Sequence, residues 1–126
     1  MYKRQGRGTE LQFQIYGAPN LAIKDYSFTP KPNEGAKYPK HESKLCYGEN
    51  LSNSSYLNAI NLNWLIKAYQ NTSSQSEFFN SFFTKLAGTK KLQQQIETGI
   101  TSDEIKASWQ NGLEEFKLIR SKYLLY

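Results

Sequence analysis

Residues 54–69 read Ser54-Ser55-Tyr56-Leu57-Asn58-Ala59-Ile60-Asn61-Leu62-Asn63-Trp64-Leu65-Ile66-Lys67-Ala68-Tyr69, and the hydrophobic period of the chain changes here. Leu57, Ile60, Trp64 and Ala68 recur at +3, +4 and +4, with Leu65 and Tyr69 beside them. That spacing predicts one face of a helix, with Ser54 or Ser55 as its N-cap.

Upstream, the period is two. Leu11, Phe13 and Ile15 alternate with Gln12, Gln14 and Tyr16, which reads as a half-buried strand broken by Gly17-Ala18-Pro19-Asn20. Tyr26-Ser27-Phe28-Thr29 is a second short strand, stopped by Pro30 and Pro32, and Leu45-Cys46-Tyr47 is a third, ended by Gly48. Between them, residues 30–44 hold Pro30, Pro32 and Pro39 and almost no aliphatics, the signature of a long irregular loop.

Downstream, helical signals accumulate. Phe78, Phe79, Phe82, Phe83 and Leu86 form a short aromatic helix closed by Gly88; Thr89 opens another through Leu92 and Ile96, ended by Gly99. Thr101-Ser102-Asp103-Glu104 fits the reciprocal capping box of a helix start. Ile105, Trp109, Leu113, Phe116 and Ile119 then continue at +4, +4, +3 and +3 as one helix, with Gly112 its weak point. The Phe78–Phe83 stripe, Trp64 and Trp109 are expected in the core, and the apolar end Tyr123-Leu124-Leu125-Tyr126 is expected to dock on it. Short strands and long loops come first and three to four helices follow. The expected class is therefore α+β, and a doubly wound parallel sheet is not suggested within this piece.

Composition narrows the function. The chain has 126 residues, enough for one core, and its 14% aromatic content is too rich for a disordered tail. No apolar run approaches the ~20 residues of a membrane span, and no targeting signal is read in this piece. One Cys and one His leave no disulfide framework and too few soft ligands for an ordinary transition-metal site, so neither metal nor cofactor is expected. The net charge of +5 is scattered: residues 1–50 carry eight basic and five acidic side chains, residues 51–126 eight and six. With no basic stripe, nucleic acid is not expected as a partner.

The residues that carry chemistry are few. Gly6-Arg7-Gly8-Thr9 has the freedom of a ligand-binding turn, but the Gly-Lys-Ser/Thr ending of a phosphate loop is missing, and an ordinary turn is the simpler reading. His41 reads as a surface histidine and Cys46 as a buried small apolar residue. Glycoside hydrolysis asks for two flanking carboxylates. Glu10, Asp25, Glu34, Glu42 and Glu49 are available, but no spacing singles out a pair. Tyr16, Tyr26, Tyr38 and Tyr47, interleaved with Lys and Asn, are candidates for stacking on sugar rings.

Several separated segments together resemble one family. They are Gly6-Arg7-Gly8-Thr9, Phe13 with Gly17-Ala18-Pro19, Ser27-Phe28-Thr29-Pro30, Cys46-Tyr47-Gly48, Leu86-Ala87-Gly88-Thr89, Glu104-Ile105 with Ser108-Trp109, and Tyr123-Leu124-Leu125-Tyr126. In this order they resemble the C-terminal part of the bacterial exo-β-N-acetylmuramidase family, the NamZ type, long catalogued only as a domain of unknown function. Gln12, where proline is expected, Asn20, where an aromatic is common, and the long loop 31–42 depart from the pattern.

The resemblance implies a two-domain hydrolase of the periplasm or the cell exterior. It would remove N-acetylmuramic acid from the non-reducing end of peptidoglycan-derived glycans, serving cell-wall turnover and recycling. A Rossmann-like N-terminal domain would carry the catalytic carboxylates, and the smaller C-terminal domain would wall the cleft. Arg7, Thr9, Tyr16 and Tyr47 are then the candidate substrate-binding residues, Arg7 because a guanidinium matches the lactyl carboxylate of muramic acid.

Met1-Tyr2-Lys3-Arg4-Gln5 resembles the translated end of a sequencing adapter, so residues 6–126 are expected to be the domain and the N-terminal domain to be missing, leaving a fragment inactive alone. The alternative from another class is a non-catalytic carbohydrate-binding or protein-interaction module built on the tyrosine-rich loop.

Overall fold

In the computed structural model the described residues are 6–124; the adapter-like residues 1–5 and the last two residues lie outside them. The chain runs through β1 (Ile15–Ala18), β2 (Tyr26–Phe28), β3 (Cys46–Asn50), α1 (Asn63–Gln70), a 3-10 turn (Gln75–Glu77), α2 (Ser81–Ala87), α3 (Lys91–Glu97), α4 (Ser102–Ala107) and α5 (Gln110–Ser121). The class is α+β, with strands and helices segregated along the chain as expected.

The sheet is antiparallel with order β1-β3-β2. Its register explains two corrections. β1 runs through Gly17-Ala18 rather than ending there, and β3 continues past Gly48 to Asn50. Gly17 and Gly48 face each other across the β1–β3 pair. A Cβ on Gly48 would stand 2.7 Å from the Cα of Gly17, and one on Gly17 would stand 2.7 Å from the Phe28 ring. Both glycines are therefore close-approach residues inside strands, not breakers. The expected strand over residues 11–16 starts only at Ile15, because the preceding residues form a turn with Phe13 at φ 64° and 83% exposed.

Helix α1 begins at Asn63, well after the expected Ser54. The Ser/Asn-rich approach explains the delay, since such side chains offer the backbone a rival partner. The Asn50 side chain accepts from the Ser52 N–H at 2.9 Å, Ser54 Oγ donates to the Leu51 carbonyl at 2.7 Å, and Asn61 Oδ1 accepts from the Asn63 N–H at 2.9 Å. Leu57 and Ile60 are consequently exposed.

Two core clusters meet at α1. Tyr16, Ala18, Leu21, Ile23, Ala68 and Phe78 fill the sheet side; Leu62, Ile96 and Ile105 fill the helical side. Leu65, Tyr69 and Phe79 pack against both, so α1 and the aromatic turn weld the halves together. Phe78 and Phe79 meet edge-to-face at 4.8 Å between centroids, and Tyr69 stacks on Phe79 at 5.6 Å. These two phenylalanines precede α2 rather than belonging to it, because the Asn80 side chain caps the N–H groups of Phe82 and Phe83. Phe82 is 47% exposed, so the Phe78–Phe83 stripe is core only at its start.

The capping box forms as read: Glu104 N–H donates to Thr101 Oγ1 at 3.3 Å, and the Thr101 N–H donates to Glu104 Oε2 at 3.0 Å. The long helix that follows is in fact two. The break falls at Ser108-Trp109 rather than at Gly112. There Ser108 Oγ donates to the Ile105 carbonyl at 2.7 Å and accepts from Gln95 Nε2 at 3.1 Å. Ile105 is fully buried and Trp109 packs half-buried on its cluster, whereas no residue of α5 is buried. Tyr123 and Leu124 are also exposed and do not dock on the core. Among the described residues no helix is long and apolar enough to cross a membrane.

Candidate functional site

The Gly6-Arg7-Gly8-Thr9 segment is a tight turn with both glycines at positive φ. Gly8 lies under Pro39, where a Cβ would come within 2.6 Å of the ring, and its carbonyl accepts from the Lys31 N–H at 2.8 Å. The turn thereby clamps the start of the long loop. Thr9 is spent on the turn itself: its hydroxyl donates to the Gly6 carbonyl at 2.6 Å and accepts from the Leu11 N–H at 3.1 Å. Arg7 is exposed and lines an open hollow of about 490 Å³ with Glu34, Lys37 and Tyr38.

Tyr16 is buried in β1, and its phenol donates to Glu49 of β3. Lys67 of α1 donates to the other Glu49 oxygen at 2.5 Å and reaches Asp25 at 3.3 Å. Burial, then the hydrogen bond to Glu49 and the charges of Glu49 and Asp25, push the Tyr16 phenol far above its ordinary value. The Glu49 hydrogen bond holds the Lys67 ammonium above its own. Glu49 is thus a strut joining β1, β3 and α1, with both of its oxygens occupied. No sequence spacing announces this group, because its members come from four separate parts of the chain. Tyr47 is half-buried on β3, with Lys24 Nζ 5.8 Å from its ring centre, and borders a second hollow of about 490 Å³ with Asn20 and Gln70.

A third, more enclosed hollow of about 300 Å³ shares Asn20 with that one. Loop residues Lys40, His41 and Lys44 line it together with Glu77 and Phe78. Burial and the two lysines hold the His41 imidazole below its ordinary pKa. Cys46 is fully buried, its thiol pushed up to about 11 by burial, in keeping with an inert packing residue. Among the described residues no three His, Cys, Asp or Glu side chains stand together to hold a metal ion. Arg7 therefore lies on the first described turn, whereas Tyr16 and Tyr47 lie on the paired strands β1 and β3, Tyr16 buried and Tyr47 at the edge of a hollow.

The family described as "Exo-beta-N-acetylmuramidase NamZ, C-terminal" matches residues 2–126. This chain belongs to that family. It is 28% identical over 144 residues to the peptidoglycan beta-N-acetylmuramidase NamZ of Bacillus subtilis strain 168, covering 97% of this chain and 33% of that protein. The crystal structure of a DUF1343 family protein from Bacteroides fragilis NCTC 9343 superposes with a TM-score of 0.89 at 47% identity, covering 98% of this chain and 36% of that one. The chain thus spans about a third of the length of the relatives it matches. The small α+β architecture is that of the NamZ C-terminal domain, and the domain is related to a glycoside hydrolase.

Proposed function

We propose that this domain is the C-terminal part of an exo-β-N-acetylmuramidase, a hydrolase that releases N-acetylmuramic acid from the non-reducing end of peptidoglycan fragments during cell-wall turnover and recycling. The observation that carries the reading is the family match over residues 2–126. The site geometry supports a division of labour. The most sheltered carboxylate described, Glu49, is tied up by Tyr16 and Lys67, so the acid and base of the reaction come from the upstream part that the relatives carry. This domain then walls the cleft. Arg7, exposed on the first described turn, belongs to the junction with that upstream part, and Thr9 holds the turn that presents it.

Two surfaces meet the upstream, Rossmann-like part: the turn with exposed Phe13, and the apolar stripe Leu113, Phe116 and Ile119 of α5. The length of the relatives supports that occupant, since roughly two-thirds of each lies outside the match. Peptidoglycan lies outside the cytoplasmic membrane, and the enzyme works there in this reading.

The test is hydrolysis of a chromogenic N-acetylmuraminide. The polypeptide that joins this domain to its upstream portion releases the chromophore and N-acetylmuramic acid, and the 126-residue chain alone releases neither. No release by the longer polypeptide overturns the assignment.

A further inference from the structure

We propose that the hollow between loop 40–44 and the 3-10 turn is a subsite for a carboxylate of peptidoglycan. The choice of ligand rests on the muramidase reading; the site itself rests on the geometry. Lys40, His41 and Lys44 line a space of about 300 Å³, with Glu77 the one acidic residue among its lining. Lys40 and Glu77 each already have an interaction of their own. Lys44, by contrast, has no ion pair among the described residues, and the His41 ring makes no hydrogen bond among them. Among the described residues Lys44 is thus a lining cation without an ion pair, beside a His41 imidazole whose pKa is lowered by burial and by its lysine neighbours.

The frame is built to hold these groups still. His41 and Ser43 adopt φ of 61° and 57°, a left-handed conformation that non-glycine residues enter only when the surroundings enforce it. Three bonds enforce it: Lys44 N–H to the His41 carbonyl at 3.0 Å, Ser43 N–H to the Pro30 carbonyl at 2.9 Å, and Cys46 Sγ to the Lys44 carbonyl at 3.5 Å.

The residue types lining the hollow also suit one substituent. The lactyl ether of muramic acid is a carboxylate with a methyl beside it. Among the lining residues, Lys44 and His41 are of the type that pairs with the first, and Phe78 is of the type that suits the second. The volume is at the lower end of the ~300–1,000 Å³ of small-molecule sites, room for about one sugar unit and its substituent rather than a glycan chain.

His41 is the chain's only histidine, so its imidazole gives a single resolved NMR signal and a built-in reporter. The experiment titrates the 126-residue chain with three probes. N-acetylglucosamine has no carboxylate, N-acetylmuramic acid has the lactyl one, and muramyl dipeptide has its lactyl carboxyl converted to an amide and offers only the one free carboxylate of its dipeptide. N-acetylmuramic acid is expected to shift the His41 signal saturably and to raise its pKa, because a bound anion favours the imidazolium. N-acetylglucosamine is expected to do neither. A response to muramyl dipeptide alone assigns the same subsite to the peptide stem.

Lys44→Gln, at an exposed position that leaves the fold intact by circular dichroism, is expected to weaken the response roughly tenfold or more. No shift with either carboxylate probe overturns the proposal, as does an equal shift with N-acetylglucosamine or undiminished binding by Lys44→Gln. Muraminide hydrolysis by the longer polypeptide is read separately. Binding without hydrolysis overturns the enzyme assignment and leaves a carboxylate site; hydrolysis with a silent His41 overturns the subsite alone.

Discussion

Helices α1 and α5 are both amphipathic, yet the fold treats them oppositely. In α1, Ala68 is fully buried, and Trp64, Leu65, Ile66 and Tyr69 pack on the two core clusters. In α5, Leu113, Phe116 and Ile119 repeat the helical spacing with 46%, 59% and 53% of their surface exposed. Apolar periodicity says that a face needs a partner; it does not say that the partner lies in the same chain segment. In the reading proposed above, the partner of α5 is the upstream part of the enzyme, and the core proper ends near Trp109.

The contrast is sharpest where the packed region tolerates nothing. Gly48→Ala puts a Cβ against the β1 backbone at Tyr16 and Gly17, which cannot move away without parting the strands. The expected loss is about 4 kcal/mol or more, or failure to fold, read by guanidinium unfolding. A wild-type midpoint for Gly48→Ala would break the account of the sheet.

Ile105 and Phe116 belong to one periodic run in the sequence and to opposite environments in the fold. Ile105→Ala should cost ~2–5 kcal/mol, the price of a cavity in the helical cluster. Phe116→Ser should stay within ~0.5 kcal/mol in the 126-residue chain, read by guanidinium unfolding. Equal losses would erase the distinction between the two regions.

The Tyr16–Glu49–Lys67 strut gives the packed region an alkaline limit. Both Tyr16 and Lys67 have folded-state values above their ordinary 10.0 and 10.5. Their protonated forms are thus favoured by folding. That stabilisation is complete below about pH 10 and is lost as the pH rises past it. Tyr16→Phe should cost ~1–3 kcal/mol near neutrality and flatten the tyrosine share of this alkaline loss, measured by thermal unfolding between pH 8 and 11.

The smallest effect concerns the start of α4. Thr101→Ala should cost ~1 kcal/mol. Thr101 holds the Glu104 carboxyl below its ordinary value of 4.5, so its contribution is present above that pH and fades as the pH falls through the folded value. The Thr101→Ala penalty should accordingly shrink in acid.

Much of this was legible in the sequence where a signal is local. The capping box at Thr101–Glu104, the left-handed Gly88 and Gly99, and the segregated order of strands and helices all depend on neighbours a few residues apart. What was hidden depends on contacts between distant residues. Gly17 and Gly48 look like breakers until they are seen opposite one another. Asn61 and its serine-rich approach delay a helix that the apolar period alone would start earlier. Glu49 looked like surface charge because Tyr16 lies 33 residues before it and Lys67 18 after it. The lysines beside His41 look like scattered charge in the sequence, since only the fold of the long loop gathers them around one hollow.

The most direct test of the division between a finished core and an unfinished face is amide hydrogen exchange of α1 and α5, in the 126-residue chain and in the polypeptide that includes the upstream portion. The account predicts strong protection of α1 in both, with α5 exchanging fast in the short chain and becoming protected in the long one. An α5 that exchanges equally fast in both, or is already as protected as α1 in the short chain, would contradict it.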